Sequence, residues 1–332
     1  MGVMFMADAH LKPSIWRARA EVRGDSYAAL DKVAELCRKV KPSALVVGGD
    51  ITDKNDVDAR SLFALSRFYA ALDDMGVKTY HIAGQHDRGA EGVTTPEAFG
   101  SELIDGKSVF IEGRKWYGLS NRSKKAVHEA LADVPECDFL VMHQAFRHLL
   151  GFEGAWQLEA SDIPDHVGAV LVGDIHMHDE TGKIYSPGAL SPVRADDIGS
   201  GHGVYIVEGS DVKWVEILSR SFYDVDASEG DIEAKLKTLA TPSAELKPVA
   251  FVKAAAGFDI PEVEGILTIV VDAVKRVEAP ELDTAVTATR LSDAVEAAAE
   301  SDKEAAALAM RTLAAENKKE EAAKAVSELW KT

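Results

Sequence analysis

Short apolar runs separated by amphipathic stretches fill roughly the first 220 residues, the alternation expected of a layered α/β domain. Predicted strands are Val3–Ala7, Ala44–Gly48, Lys78–Ala83, Ser108–Glu112, Lys115–Leu119, Phe139–Met142 and Ala169–Val172, followed by Lys183–Ser186, Val204–Val207 and Val212–Leu218. Between them the spacing changes from two to three or four. Leu30, Val33, Leu36, Cys37 and Val40 fall on one face of a helix over Asp25–Val40. A second helix is predicted over Asp58–Met75, with Gly76 as its stop, and a third over Lys124–Ala132.

The pattern shifts near Phe222–Ser228, after which alanine becomes frequent and aromatics rare. This second part predicts a strand near Pro248–Ala254, a helix or buried strand around Gly265–Val274, and helices from about Thr289 to Lys331. Ser301-Asp302-Lys303-Glu304 forms a capping box, and Ala322, Val326, Leu329 and Trp330 make a stripe at helical spacing. Three segments are therefore expected, 1–223, 224–285 and 286–332.

Composition narrows the class. With 46% hydrophobic and 28% charged residues in 332, the chain is globular rather than disordered. No run of about 18 uncharged apolar residues occurs, which excludes a membrane-spanning helix. The opening apolar run lacks a basic flank and is broken by Asp8, so it predicts a strand and not a secretory signal. Two cysteines make neither a disulfide framework nor a zinc motif, and a reducing, cytoplasmic setting is expected. The 37 basic residues against 55 acidic ones, net −18, argue against bulk coating of nucleic acid. They do not exclude a nuclease, because bound divalent cations add charge that the count omits.

Five segments place metal-ligand residue types directly after an apolar run: Asp8-Ala9-His10, Gly48-Gly49-Asp50-Ile51-Thr52-Asp53, Gly84-Gln85-His86-Asp87, His143-Gln144, and Gly173-Asp174-Ile175-His176-Met177-His178. In open α/β folds ligands gather beyond the carboxyl ends of strands, so five such tips can converge. Carboxylates, imidazoles and an amide without thiolate suit hard or borderline divalent cations. One carboxylate can bridge two cations about 3.5–4 Å apart, and a nearby non-ligating histidine can protonate a leaving alkoxide. Asp53 reads as supporting a ligand or capping a helix, and His81 as packed within its strand. Lys12, Arg17, Arg19 and Arg23 against the single acid Glu21 make a locally basic stretch. That stretch reads either as a solvated loop or as a phosphate contact, with Trp16 able to stack on a base.

The five segments resemble the DxH, GDxxD, GNHD, H and GHxH motifs of the calcineurin-like binuclear metallophosphoesterases. Within that superfamily the chain is most similar to SbcD-type nucleases, the prokaryotic and phage relatives of the recombination nuclease Mre-eleven. The likeness rests on His143-Gln144, on Ile184-Tyr185-Ser186-Pro187-Gly188-Ala189-Leu190-Ser191, and on Gly201-His202-Gly203-Val204. The opening Asp8-Ala9-His10-Leu11, Ile15-Trp16 and Arg23-Gly24-Asp25 resemble phage-encoded members.

The resemblance implies a layered β-sandwich flanked by helices, followed by a small α+β capping, DNA-binding domain and C-terminal helices that dock a partner. It implies two divalent cations, Mn2+ by family habit, although ligand affinity order alone favours Zn2+ and Mg2+ also fits. Asp8, His10 and His176 would hold one cation, Asp50 would bridge, and Gln85, His143 and Asp174 would hold the other. His86 would be the leaving-group acid, supported by Asp87. Two positions depart from the family, Gln85 for its asparagine and Asp174 for the first histidine of GHxH; another register would use His176 and His178. The implied activity is 3′→5′ exonuclease action on double-stranded DNA ends and endonuclease action on single strands. A homodimer and an SbcC-type coiled-coil ATPase are the implied partners. The alternatives are another phosphodiesterase or phosphatase of the superfamily, and a catalytically weakened scaffold.

Overall fold

The computed structural model describes residues 2–13, 22–88, 92–150, 156–194, 197–217, 220–254 and 258–272. Arg17, Arg19 and Trp16, and the expected helices of 286–332, lie outside the described residues.

In chain order the elements are β1 (Val3–Met6), α1 (Asp25–Val40), β2 (Ala44–Val47), α2 (Ala59–Asp74), β3 (Lys78–His81), α3 (Thr95–Ala98), β4 (Glu102–Leu103), β5 (Ser108–Ile111) and β6 (Arg114–Leu119). They continue with α4 (Lys124–Ala132), β7 (Cys137–His143), β8 (Val167–Gly173), β9 (His178–Thr181), β10 (Ile184–Pro187), β11 (Gly203–Glu208) and β12 (Asp211–Glu216). Last come β13 (Phe222–Asp226), α5 (Ile232–Leu239), β14 (Val249–Ala254) and β15 (Leu267–Asp272).

Two six-stranded sheets form the body, ordered β12-β11-β1-β2-β3-β4 and β5-β6-β7-β8-β10-β9. Strands β1 to β4 run parallel, as do β6, β7, β8 and β10. The central strands are apolar at consecutive positions because both faces are covered. On β1, Val3 and Phe5 join Val46, Trp116, Phe139, Val141 and Leu171 between the two sheets. Met4 and Met6 point the other way, into Leu30, Val33, Cys37, Leu65, Phe68 and Leu72 of α1 and α2. On the far side of the second sheet, Leu140, Met142, Val170 and Val172 pack with Val127 and Leu131 of α4. The order is thus helices, sheet, sheet, helix. Each fully buried Phe or Leu contributes about 1.5–3 kcal/mol, so the layer between the sheets is a large share of the fold's stability. Asp58 caps α2 by accepting from the Arg60 and Ser61 amides, which fixes where the loop carrying Asp50 and Asp53 ends.

A third, parallel sheet, β13-β14-β15, has its own apolar cluster with Ile232 and Leu236 of α5. β13 runs across the boundary expected at 223/224, so the chain enters this small sheet at Phe222. The join is tied by Arg220, whose guanidinium pairs with buried Asp25 at 2.6 Å and donates to the Arg23 and Lys247 carbonyls. Val22 packs with Val249 and Ile269 in the same region. Met1–Asp272 forms one compact unit. Among the described residues no helix is long and apolar enough to cross a membrane.

The elements that sequence pattern did not predict are β4, α3, β9, β13 and α5; the first three are short or polar, and the last two lie at and just after the compositional shift. β4 has two residues, α3 has four, and β9, with the sequence His-Asp-Glu-Thr, is an edge strand without an apolar face. His81, in β3, is buried as expected and bonds Ser101 and Thr94 through its two ring nitrogens.

Candidate metal centre

Five loops leave the carboxyl ends of β1, β2, β3, β7 and β8, and they meet at one edge of the paired sheets. Backbone bonds lock the first two together: Asp8 N–H donates to the Gly49 carbonyl, His10 N–H to Asp50, and Leu11 N–H to Ile51, each at 3.0 Å. Asp8, His10, Asp50 and Asp174 all have φ between 40° and 93°, a left-handed conformation that costs side-chain-bearing residues energy. Glycine makes the approach of the loops possible. A Cβ on Gly49 (φ 97°) would collide with the His143 ring, and one on Gly84 with the Asp50 carboxylate.

Among the described residues three groups of side chains converge, with ligand atoms mutually within 4.8 Å: Asp8, His10 and His176; Asp8, Asp50 and His143; and His10, Asp50 and His86. Asp50 Oδ2 lies 3.4 Å from His143 Nε2 and 3.8 Å from the Nε2 atoms of both His10 and His86. It is thus central, the place of a bridging carboxylate. Asp174 Oδ1 is 3.8 Å from His143 Nε2, and the Asp174 amide donates to both Asp8 oxygens. His178 is elsewhere, stacked on Trp214 at 4.1 Å between ring centres, so Asp174 and His176 are the residues of that loop that reach the cluster.

The donor atoms fit cations. His143 is buried; its Nδ1 bonds the Gly48 carbonyl at 2.7 Å, and its Nε2 faces three carboxylates with no hydrogen-bond partner. Fixing Nδ1–H on a carbonyl leaves Nε2 as the lone-pair nitrogen, the arrangement seen for metal-bound histidines. His176 is set in the same way: Nδ1 bonds Asp197 Oδ2 at 2.9 Å, and Nε2 points at His10 Nε2, 3.2 Å away. Two imidazole nitrogens and two carboxylates facing one point form a nitrogen and oxygen donor set for a divalent cation.

The electrostatics agree. Burial pulls the His143 imidazole down, but Asp50, Asp8 and Asp174 outweigh it and hold it at about 10. Burial likewise opposes, and Asp53, Asp8 and Asp50 overcome, in His10, raised to about 9. Burial pushes Asp50 up, and the His143 and His10 charges bring it down to about 2. The pocket concentrates negative charge and draws in protons where cations are absent.

Two expectations change. Asp87 does not support the His86 ring. Its buried carboxylate accepts from the amides of Asp50, Ile51 and Gly84 at 2.6, 2.9 and 2.9 Å, which ties two site loops together. Lys12 is not a free phosphate contact, because its ammonium donates to Asp53 and to the Val193 carbonyl, both at 2.9 Å. Asp53 in turn faces His10 Nδ1 at 3.5 Å. Gln85 extends its amide nitrogen to Asp174 Oδ1 at 2.6 Å. His86 is part-exposed at the mouth of the pocket, its backbone amide bonded to Asp50 Oδ1 at 2.9 Å. Asp197, which positions His176 and also accepts from the Val193 and Arg194 amides, was missed by sequence reasoning. Its only sequence signal is an acidic pair, Asp196-Asp197, shortly before Gly201-His202-Gly203.

Residues 1–203 match the family model described as calcineurin-like phosphoesterase. The DNA double-strand break repair protein Mre11 of Saccharolobus solfataricus is 24% identical over 239 residues, covering 65% of this chain and 62% of that protein. The Mre11 of Sulfolobus acidocaldarius is 27% identical over 206 residues, covering 57% of this chain and 53% of its own length. The chain therefore spans between about half and two thirds of the length of these relatives.

Proposed function

The chain belongs to the calcineurin-like phosphoesterase family, hydrolases that depend on a binuclear metal centre, and from that premise we propose that it is a DNA nuclease of the SbcD and Mre11 type. The observation that carries the reading is the unpartnered, buried His143 Nε2 facing Asp8, Asp50 and Asp174, with the His10 and His176 pair beside it. Asp8, His10 and His176 would hold one cation and His143 and Asp174 the other, with Asp50 between. Bound divalent cations supply Lewis acidity at a phosphodiester and ease deprotonation of an attacking water. The chain's own residues do the rest. Asp197 fixes the ring orientation of His176, Asp53 faces His10 Nδ1 at 3.5 Å, and Asp87 holds the Asp50 and Gly84 loops in place. His86, part-exposed at the mouth, would give a proton to the departing oxygen.

The kinship with Mre11, a DNA double-strand break repair protein, supports DNA as substrate; Mn2+ as metal, a homodimer, an SbcC-type ATPase partner and a cytoplasmic site of action complete the proposed reading. The small sheet of 222–272 would then be the DNA-holding cap. Linear double-stranded DNA, single-stranded DNA and a chromogenic small phosphodiester, each with Mn2+, test the reading together. Cleavage of both DNA forms is expected. Turnover of the small ester alone would assign the chain to another phosphodiesterase of the family, and no turnover of any would make it a scaffold. His86→Ala should keep two bound metals and lose about 10²–10⁴-fold of turnover, as loss of a general acid does.

A further inference from the structure

The two positions at which this chain departs from the family motif touch each other. Gln85 and Asp174 are 89 residues apart, yet the Gln85 amide nitrogen donates to Asp174 Oδ1 at 2.6 Å. A carboxylate only accepts, so the amide must present its nitrogen there. Gln85 therefore steadies Asp174, and that nitrogen cannot act as a metal ligand. Beyond Asp174 lies His143 Nε2, buried, without a hydrogen bond, and 3.8 Å from Asp174 Oδ1 and 3.4 Å from Asp50 Oδ2. The two halves of the centre are thus unequal. One joins two imidazoles, of His10 and His176, to Asp8 and Asp50. The other has one imidazole, that of His143, with the Asp50 and Asp174 carboxylates, and Asp8 Oδ1 lies 3.9 Å from the same nitrogen.

Ligand hardness gives this inequality a consequence. Imidazoles favour Zn2+, Cu2+ and other borderline cations, whereas carboxylate oxygens suit Mg2+ and Mn2+. Mg2+ is commonly held through one or two carboxylates with several waters retained. Resting on the binuclear reading above, we infer that the Gln85–Asp174 pair makes the His143 position an oxygen-dominated site that takes a hard divalent cation such as Mg2+, while the His10–His176 position does not. The difference belongs to this chain, because a histidine at 174 would give both positions two imidazoles.

Metal binding tests this without any turnover. Mn2+ is titrated into chelator-treated full-length protein and followed by electron paramagnetic resonance, and Mg2+ is then added as competitor. Wild type should bind two Mn2+ and release one of them to excess Mg2+. In Asp174→His the Mg2+ concentration needed for that release should rise by no less than the about tenfold that even an outer partner of a ligand controls. Histidine is among the residues tolerated at positive φ, and a melting curve verifies the fold. Gln85→Leu, at an exposed position, should weaken one Mn2+ by about 10–100-fold and leave the other unchanged. Release of both Mn2+ or of neither from wild type at the same Mg2+ concentration overturns the selectivity. So does identical competition in Asp174→His, or unchanged Mn2+ affinity in Gln85→Leu. Fewer than two Mn2+ on wild type is a different failure: it removes the binuclear centre itself, and the nuclease reading with it.

Discussion

Replacing Asp87 separates two roles that its place beside His86 confounds. Its carboxylate is 1% exposed and accepts from three backbone amides, those of Gly84, Asp50 and Ile51. Each buried amide left without an acceptor costs about 1–3 kcal/mol. Asp87→Ala strands all three, for roughly 3–9 kcal/mol, comparable with the whole 5–15 kcal/mol that holds an ordinary domain together. Asp87→Asn keeps the shape and one acceptor oxygen but turns an NH2 toward amides that also donate, so about 1–3 kcal/mol per displaced amide is expected. Urea denaturation of chelator-treated protein measures this with no metal and no substrate present. The Asn variant should show a lower midpoint with the slope retained, and the Ala variant should be marginal or unfolded. An unchanged midpoint in both, with turnover lost, would show that Asp87 acts through the His86 imidazole and that the three amide contacts contribute little.

Three more perturbations follow from the same geometry. Asp197→Ala frees the His176 ring, and Mn2+ affinity at the His10–His176 position should fall by about 10–100-fold, measured by titration; an unchanged affinity would remove Asp197 from the centre. Burial holds neutral His81 at about 4, below its unfolded value near 6.5, so its contribution is complete above pH 6.5 and lost as pH falls toward 4, by about 3 kcal/mol. Urea midpoints at pH 7 and pH 4.5 should differ more in wild type than in His81→Gln, and equal differences would refute this. His10 and His143, raised to about 9 and 10, carry protons at pH 7 that must leave before their Nε2 atoms can bind metal. Calorimetry of Mn2+ binding in buffers of different ionisation heat should therefore report proton release. The metal-free protein should in turn lose stability as pH rises from 6.5 through 9 and 10.

The strand tips were legible because an apolar run long enough to be a strand ends directly in metal-ligand residue types, with a glycine just before Asp50, Gln85 and Asp174. Asp8, His10, Asp50, His143 and His176 could all be read in this way. The roles of their neighbours could not, since these depend on which loop each side chain faces. Asp87 follows His86 directly, yet its carboxylate reaches the Asp50 loop, 37 residues away in sequence. Lys12 looked free in a basic stretch, but Asp53 and the Val193 carbonyl are brought to it by two other loops. Asp197 had no periodicity or spacing to mark it. β4 and β9 are too short or too polar for hydrophobic alternation to reveal, and they form only because a neighbouring strand offers its backbone edge.

Of the six described non-glycine residues with positive φ, four are Asp8, His10, Asp50 and Asp174, so backbone strain is gathered at the centre. At about 1–3 kcal/mol each, such conformations persist only where the surroundings over-determine them. Here the backbone bonds of the Asp8 and Asp50 loops do so, together with the Asp174 amide on Asp8 and the Asp87 carboxylate beneath. The same framework holds the Asp8 and Asp50 carboxylates, each no more than 2% exposed, with ligand atoms within 4.8 Å of one another and of His143. The strain opposes folding and does not serve packing, since the apolar layers on either side are complete without it, while the His10 and His143 imidazoles offset the carboxylate charge. A centre of this kind is built by the chain ahead of its cations, which would take over from the His10 and His143 protons as the positive charge facing its carboxylates. The net charge of −18 is therefore no obstacle to a polyanionic substrate at this point, because bound cations would reverse the local sign where a phosphodiester has to approach.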